Sequence, residues 1–149
     1  MKFLSKMFEN KDDEPEKPHR WELTPFEARH RANLIVKSAA ALDVELDYSP
    51  ESLKSVDLLI DKERETGIGL TPEMAHEMVS LGAYVGEVMI RHLNGKWAYG
   101  TMPQKHDPLV MIINGRYVIN VVSVAFKRFM AGEPNSVATM FEETKKLTE

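Results

Sequence analysis

From Met78 to Ile90 the only plainly polar side chains are Ser80 and Glu87, with Tyr84 amphipathic. A helix that is apolar on most sides is a buried one. Thr71-Pro72-Glu73 opens this stretch and Asn94-Gly95 closes it, which predicts a central helix over residues 72–93. Gly82 and Gly86 sit one turn apart inside it. Each glycine costs a helix roughly 1 kcal/mol relative to alanine. The usual compensation is close approach by another element.

Two shorter helices precede it. Thr24-Pro25-Phe26-Glu27 reads as a capping box, with the glutamate reaching back to the cap N–H. It starts a helix over residues 25–42 whose stripe is Phe26, Ala32, Ile35, Val36, Ala39 and Leu42. Ser49-Pro50-Glu51 starts a second helix over residues 50–65, with Leu53, Val56, Leu59 and Ile60 facing inward. The Thr66-Gly67-Ile68-Gly69 loop that follows lacks a phosphate-binding pattern and reads as a turn.

After Gly95 the period shortens to that of a strand. Residues 97–101 alternate and residues 102–107 read as a loop. Residues 109–113 and 116–119 are β-branched runs joined by Asn114-Gly115, a strong hairpin signal. A three-stranded antiparallel sheet follows. Asn120 looks like a helix cap, and Val121, Val124, Ala125, Phe126 and Phe129 fit a helical stripe, with Lys127-Arg128 suited to its C-terminal end. The β-branched stretch over residues 121–129 is equally compatible with a prolonged strand. A last helix over residues 136–147 presents Val137, Met140 and Phe141 on one side. The predicted class is α+β: a helical N-terminal half with a long buried helix, a three-stranded antiparallel sheet and one or two closing helices.

Length and composition narrow the function classes. The 149 residues suit one domain, expected over residues 21–149, behind a flexible tail and linker at 1–20. A net charge of −4 argues against nucleic acid as the main partner, because neutralising phosphates takes a basic face. The absence of cysteine excludes disulfides, thiolate catalysis and cysteine-ligated metals. No segment approaches the roughly 20 apolar residues of a membrane span. Residues 1–8 carry Phe3, Leu4, Met7 and Phe8, enough for a weak membrane-surface or partner-docking peptide but too short for a signal peptide. A cytoplasmic location is expected.

Four pieces in order carry a family resemblance: Leu46-Asp47-Tyr48-Ser49-Pro50-Glu51-Ser52-Leu53; Leu81-Gly82-Ala83-Tyr84-Val85-Gly86-Glu87-Val88; Leu93-Asn94-Gly95-Lys96-Trp97; and Asn120 followed by Phe126-Lys127-Arg128 and Gly132-Glu133. On these, residues 46–141 resemble a family of small uncharacterised bacterial proteins, a domain of unknown function. The resemblance implies an α+β domain with a glycine-bearing central helix and a small sheet after it. It implies no activity, and residues 1–45 lie outside it.

The candidate site is Glu87, Arg91 and Trp97. Glu87 and Arg91 stand in the favourable order for an i,i+4 ion pair. Burial makes such a pair obligatory, since a lone buried carboxylate is costly. The structural reading has Glu87 anchoring the helix to Arg91 or to the Trp97 N–H. The functional reading makes it a burial-tuned acid or base in a pocket. No catalytic residue is assigned. The five histidines show no metal-ligand spacing, whether His76 and His92 on one helix or His106 in a loop, so no metal and no cofactor is expected, and the histidines are read as solvent-facing. A composite His92–His106–Glu87 site requires the loop to fold back. Trp97, Tyr99 and Tyr117 are candidates for a binding face but more commonly pack on a helix. The leading expectation is a non-catalytic interaction domain with a protein partner, of immunity or accessory type. The alternatives are a small-molecule-binding or hydrolytic protein with a pocket at Glu87, and a peripheral membrane protein docked by residues 1–8.

Overall fold

A computed structural model describes residues 23–99 and 109–149. Its elements are α1 (Pro25–Ala40), α2 (Ser52–Glu65), α3 (Pro72–His92), β1 (Gly95–Tyr99), β2 (Leu109–Ile113), β3 (Tyr117–Ile119), α4 (Val121–Ala131) and α5 (Val137–Thr148). The class is α+β, and residues 121–129 resolve as helix rather than strand. Asn120 decides that boundary, because its side chain accepts from the Ser123 N–H at 3.0 Å and so caps α4. The predicted loop at 102–107, the end of the first predicted strand, His106 and residues 1–20 lie outside the described residues.

Every residue of α3 from Met78 to Met89 is buried. The helix packs mainly against α1 and α4, touches α2 and carries the sheet against its C-terminal half, while α2 packs on α4 and α5. The sheet is an antiparallel meander in the order β1-β2-β3, with Trp97 opposite Met111 and Ile113 opposite Tyr117. Asn114 and Gly115 both take positive φ, 57° and 64°, as a twist-matched hairpin turn requires.

The two glycines of α3 have the predicted cause. A Cβ on Gly82 would lie 2.6 Å from the Val122 backbone, so α4 crosses α3 there with no room for a side chain. A Cβ on Gly86 would lie 2.1 Å from Cη2 of Trp97, so the indole of β1 lies across the bare helix backbone. One turn of α3 thus seats a helix and the next turn seats the sheet.

The N-terminal half departs from its predicted pattern in detail. α1 ends at Ala40, and its inward residues are Ala28, Arg31, Ala32 and Ala39. Phe26 and Leu42, placed on the predicted stripe, are 74% and 61% exposed. The small residues let α1 lie close to α3, which leaves Phe26 on its outer side and Leu42 beyond its end, while Ile35 and Val36 of the predicted stripe pack partly against the core. The Thr24 cap forms with Glu27 N–H, but the Glu27 carboxylate meets the threonine hydroxyl instead of the cap N–H. α2 begins two residues later than predicted, at Ser52. Ser49 accepts from Ser52 N–H through both its carbonyl and its hydroxyl, and this tight turn delays the regular helix. Leu53, Val56 and Ile60 are buried as predicted, with Leu59 partly so.

Gly86→Ala removes a helix penalty of roughly 1 kcal/mol but drives a methyl into a rigid ring. The expected net loss is about 2 kcal/mol, read as a lower urea midpoint. An unchanged or raised midpoint would contradict the packing described for Trp97.

Candidate functional site

Glu87 lies within the most buried run of α3 and is 3% exposed. A carboxylate there must be met on both oxygens. Trp97 Nε1–H donates to Oε2 at 2.9 Å. Arg91 Nη1 donates to Oε1 at 3.3 Å and to the Glu87 carbonyl at 3.0 Å. Arg29 Nε, from α1, stands 3.9 Å from the same Oε1. The Gly86 gap makes this possible, because the ring that fills it carries its N–H to the next residue of the helix. The predicted trio of Glu87, Arg91 and Trp97 is therefore brought together, and Arg29 joins it from a helix that the trio's own sequence neighbourhood does not contain.

An aromatic layer extends the cluster. The Arg91 guanidinium sits 3.8 Å from the centre of the Tyr48 ring, which stacks on Tyr84 at 4.9 Å. Tyr48 adopts φ +63°, a backbone conformation that bulky L-residues avoid. It is over-determined there. Its N–H donates to Tyr84 Oη at 2.8 Å, its carbonyl accepts from His92 Nε2 at 2.8 Å, and its hydroxyl donates to Asn33 Oδ1. The Ser52 and Tyr84 hydroxyls are 2.6 Å apart. Burial raises the phenol pKa of both tyrosines above its ordinary value; the Ser52 bond opposes this at Tyr84 and the Arg91 charge opposes it at Tyr48. Both therefore serve neutral pH as hydrogen-bonding phenols.

Two further groups of ionisable residues were not singled out from the chain. Asp57 and Asp61 of α2 hold α4 and α5. Asp57 accepts from the N–H groups of Val137 and Ala138 at 2.8 and 3.3 Å and from Ser136 Oγ at 2.6 Å, which caps α5 from another helix. Arg128 forks onto Asp61 through Nε at 2.9 Å and Nη2 at 2.7 Å. Arg128, which the sequence places at the C-terminal end of α4, is 5% exposed. The available signal was position: Asp57 interrupts the Leu53, Val56, Ile60 stripe, and Arg128 continues Val121 and Ala125 at helical spacing.

The other group lies at the start of α3. Arg31 Nη1 donates to His76 Nδ1 at 2.8 Å, which requires a neutral imidazole. His76 is partly buried rather than solvent-facing as predicted, and burial with the Arg31 charge lowers its pKa to about 4. Burial, with the Glu63 charge, raises the Glu77 pKa to about 7. Of the remaining candidates, His92 is exposed and bonded to Tyr48, Tyr99 is 54% exposed, and the Tyr117 hydroxyl donates to the Leu147 carbonyl. Among the described residues no three His, Cys, Asp or Glu side chains gather as a metal site, and no helix is long and apolar enough to cross a membrane.

The model of DUF6278, a family of unknown function, matches residues 9–146. The chain belongs to that family, and the match takes in residues 9–45, which the resemblance on motifs left out. No curated protein and no solved structure matches it.

Two measurements probe these groups. Glu87→Gln keeps an acceptor for Trp97 but strips the arginines of their counter-charge, and should lower stability by about 2 kcal/mol. An unaltered urea midpoint would show that the charge contributes nothing. The pH behaviour follows from opposed shifts. Glu77 holds its proton in the fold to about pH 7 against an ordinary 4.5, so its contribution falls as pH rises through that window. His76 resists protonation down to about pH 4 against an ordinary 6.5, so its contribution falls as pH drops through that window. The two slopes oppose each other where they overlap. Glu77→Gln should leave stability rising with pH across that overlap, and His76→Gln should leave it falling. Urea midpoints for both variants with no slope would refute the assignment.

Proposed function

We propose that the protein is a non-catalytic, cytosolic interaction module of immunity or accessory type, and that it recognises a protein partner through the outer face of α1. The observation that supports this is Phe26, 74% exposed on a helix whose inner face is fully packed. Helical spacing sets His30, Asn33 and Lys37 around it, with Leu34, 46% exposed, on one flank and Arg29 on the other. A solvent-exposed aromatic ringed by adaptable polar and cationic groups has the composition of a binding hot spot. The overall charge is −4, yet the exposed side of α1 carries Arg29 and Lys37 against a single acid, Glu27. The fitting partner surface is an apolar pocket with an acidic rim.

The alternative of a hydrolytic or ligand pocket centred on Glu87 has less support. Both carboxylate oxygens are engaged by Trp97 and the arginines, and Trp97 is 8% exposed. A proton-transferring carboxylate needs one oxygen within reach of substrate. The membrane-docking alternative concerns residues 1–8, outside the described residues.

The test is quantitative capture from native lysate with the full chain and two face variants. A stoichiometric partner should be retained by wild type and by Leu58→Asp, which alters an exposed leucine on α2, and be lost at least roughly tenfold by Phe26→Ala/Leu34→Ala, the effect of removing hot-spot side chains. Equal retention by all three proteins would rule out the α1 face, and no stoichiometric partner with any of them would count against the interaction reading itself.

A further inference from the structure

We propose that Arg29 and Arg91 form a clamp for a small carboxylate- or phosphate-bearing ligand on the solvent side of Glu87. The inference does not require a protein partner, although Arg29 and Asn33 also border the α1 face described above.

Charge is the first argument. Arg91 and Arg29 stand 3.3 and 3.9 Å from one carboxylate oxygen, and the other oxygen is taken by Trp97. Two cations thus share one anion. Among the described residues neither arginine has another acidic partner within ion-pair distance, so the cations outnumber the anion they contact. The site is also open, because the side chains of Arg29 and Arg91 are 61% and 41% exposed while that of Glu87 is 3% exposed. The carboxylate lies beneath and the guanidinium groups lie above it, towards water.

Donor chemistry is the second. Arg91 spends only Nη1 on Glu87, and Arg29 approaches it only through Nε. Among the described residues nothing accepts from Arg91 Nε and Nη2, from Arg29 Nη1 and Nη2, or from Asn33 Nδ2. Asn33 is already oriented, since its Oδ1 accepts the Tyr48 hydroxyl and its amide nitrogen is left as the free end. Free N–H donors from α1 and α3 therefore gather around a positive centre. Planar guanidinium forks match the geometry of carboxylate and phosphate oxygens, and charge-assisted bonds to them are the strong ones.

The third is preorganisation. The Arg91 guanidinium carbon is held over the Tyr48 ring, 3.8 Å from its centre. That ring is itself fixed by stacking on Tyr84 and by its hydroxyl's bond to Asn33, while its backbone, in a left-handed conformation, is held by Tyr84 and His92. Strained, over-determined residues of this kind collect at ligand clamps. A bound oxoanion would draw the guanidinium groups outward and leave Glu87 with more charge for its remaining donor, Trp97.

Trp97 is therefore the reporter. The chain has two tryptophans, Trp21 and Trp97, so a Trp21→Phe protein shows one indole N–H resonance. This protein is titrated with inorganic phosphate, with succinate and with sodium chloride at matched ionic strength. Phosphate or succinate should move the Trp97 indole resonance saturably where chloride does not, and the stronger of the two identifies the ligand class. Adding Arg29→Gln, an exposed substitution, should weaken that binding roughly tenfold with the fold intact, and Asn33→Ala should weaken it less. An equal response to chloride, no saturable response to either oxoanion, or unchanged affinity in Arg29→Gln would each overturn the clamp.

Discussion

The structure depends on the Trp97 indole lying on bare helix backbone at Gly86. With any side chain at that position the ring could not reach its place, since even a Cβ would come within 2.1 Å of it. The sheet would then stand off from α3, and the N–H that meets Glu87 would move with it. A close approach made at the expense of helix propensity thus fixes the position of β1, and β2 and β3 follow by register. Gly82 does the same one turn earlier for α4. The central helix serves as a template in which the least substantial residues set the arrangement of the bulky ones.

Buried charge then makes that arrangement specific. Hydrophobic contact alone is non-directional. Glu87 ties α1, α3 and β1 at one point, while Asp57, Asp61 and Arg128 tie α2, α4 and α5 at another. Each of these charges would be costly if left alone in the core, so a misdocked helix is penalised rather than merely unrewarded. The two networks share no residue and divide the work of orienting helices that share one apolar core. In the Glu87 network the cations are the exposed members, and among the described residues they outnumber the anion. That asymmetry separates a purely structural tie from a site with unspent donors.

Much of this was legible in the chain. The long apolar run, the Asn-Gly hairpin, the Asn120 cap and the paired glycines each carry local signals whose causes act within a few residues. The Glu87–Arg91 pair was legible because helical spacing brings those side chains together, and Trp97 because Asn94-Gly95 turns the chain straight back. The stripe of α1 was misjudged because Phe26 and Leu42 look like core residues by hydropathy, whereas close packing on α3 selected the alanines. Arg31 and Asp57, and the partners of His76 and Arg128, are not legible because a charged residue on an inward stripe reads as an interruption until its partner is known.

The sequence by itself determined which segments are helix or strand, residues 121–129 excepted, where they begin and end to within a few residues, and that the central helix must be buried around a carboxylate. Those properties follow from backbone sterics, capping and periodicity, which are local. Tertiary structure alone decided that Arg29, 58 residues from Glu87 in the numbering, meets the same oxygen as Arg91. It also decided that Tyr48 lies beneath that arginine, and that Asp57 caps a helix 80 positions further on. Such pairings depend on how packed helices cross in space, and no periodicity in the chain encodes which distant side chain will occupy the far side of a buried charge.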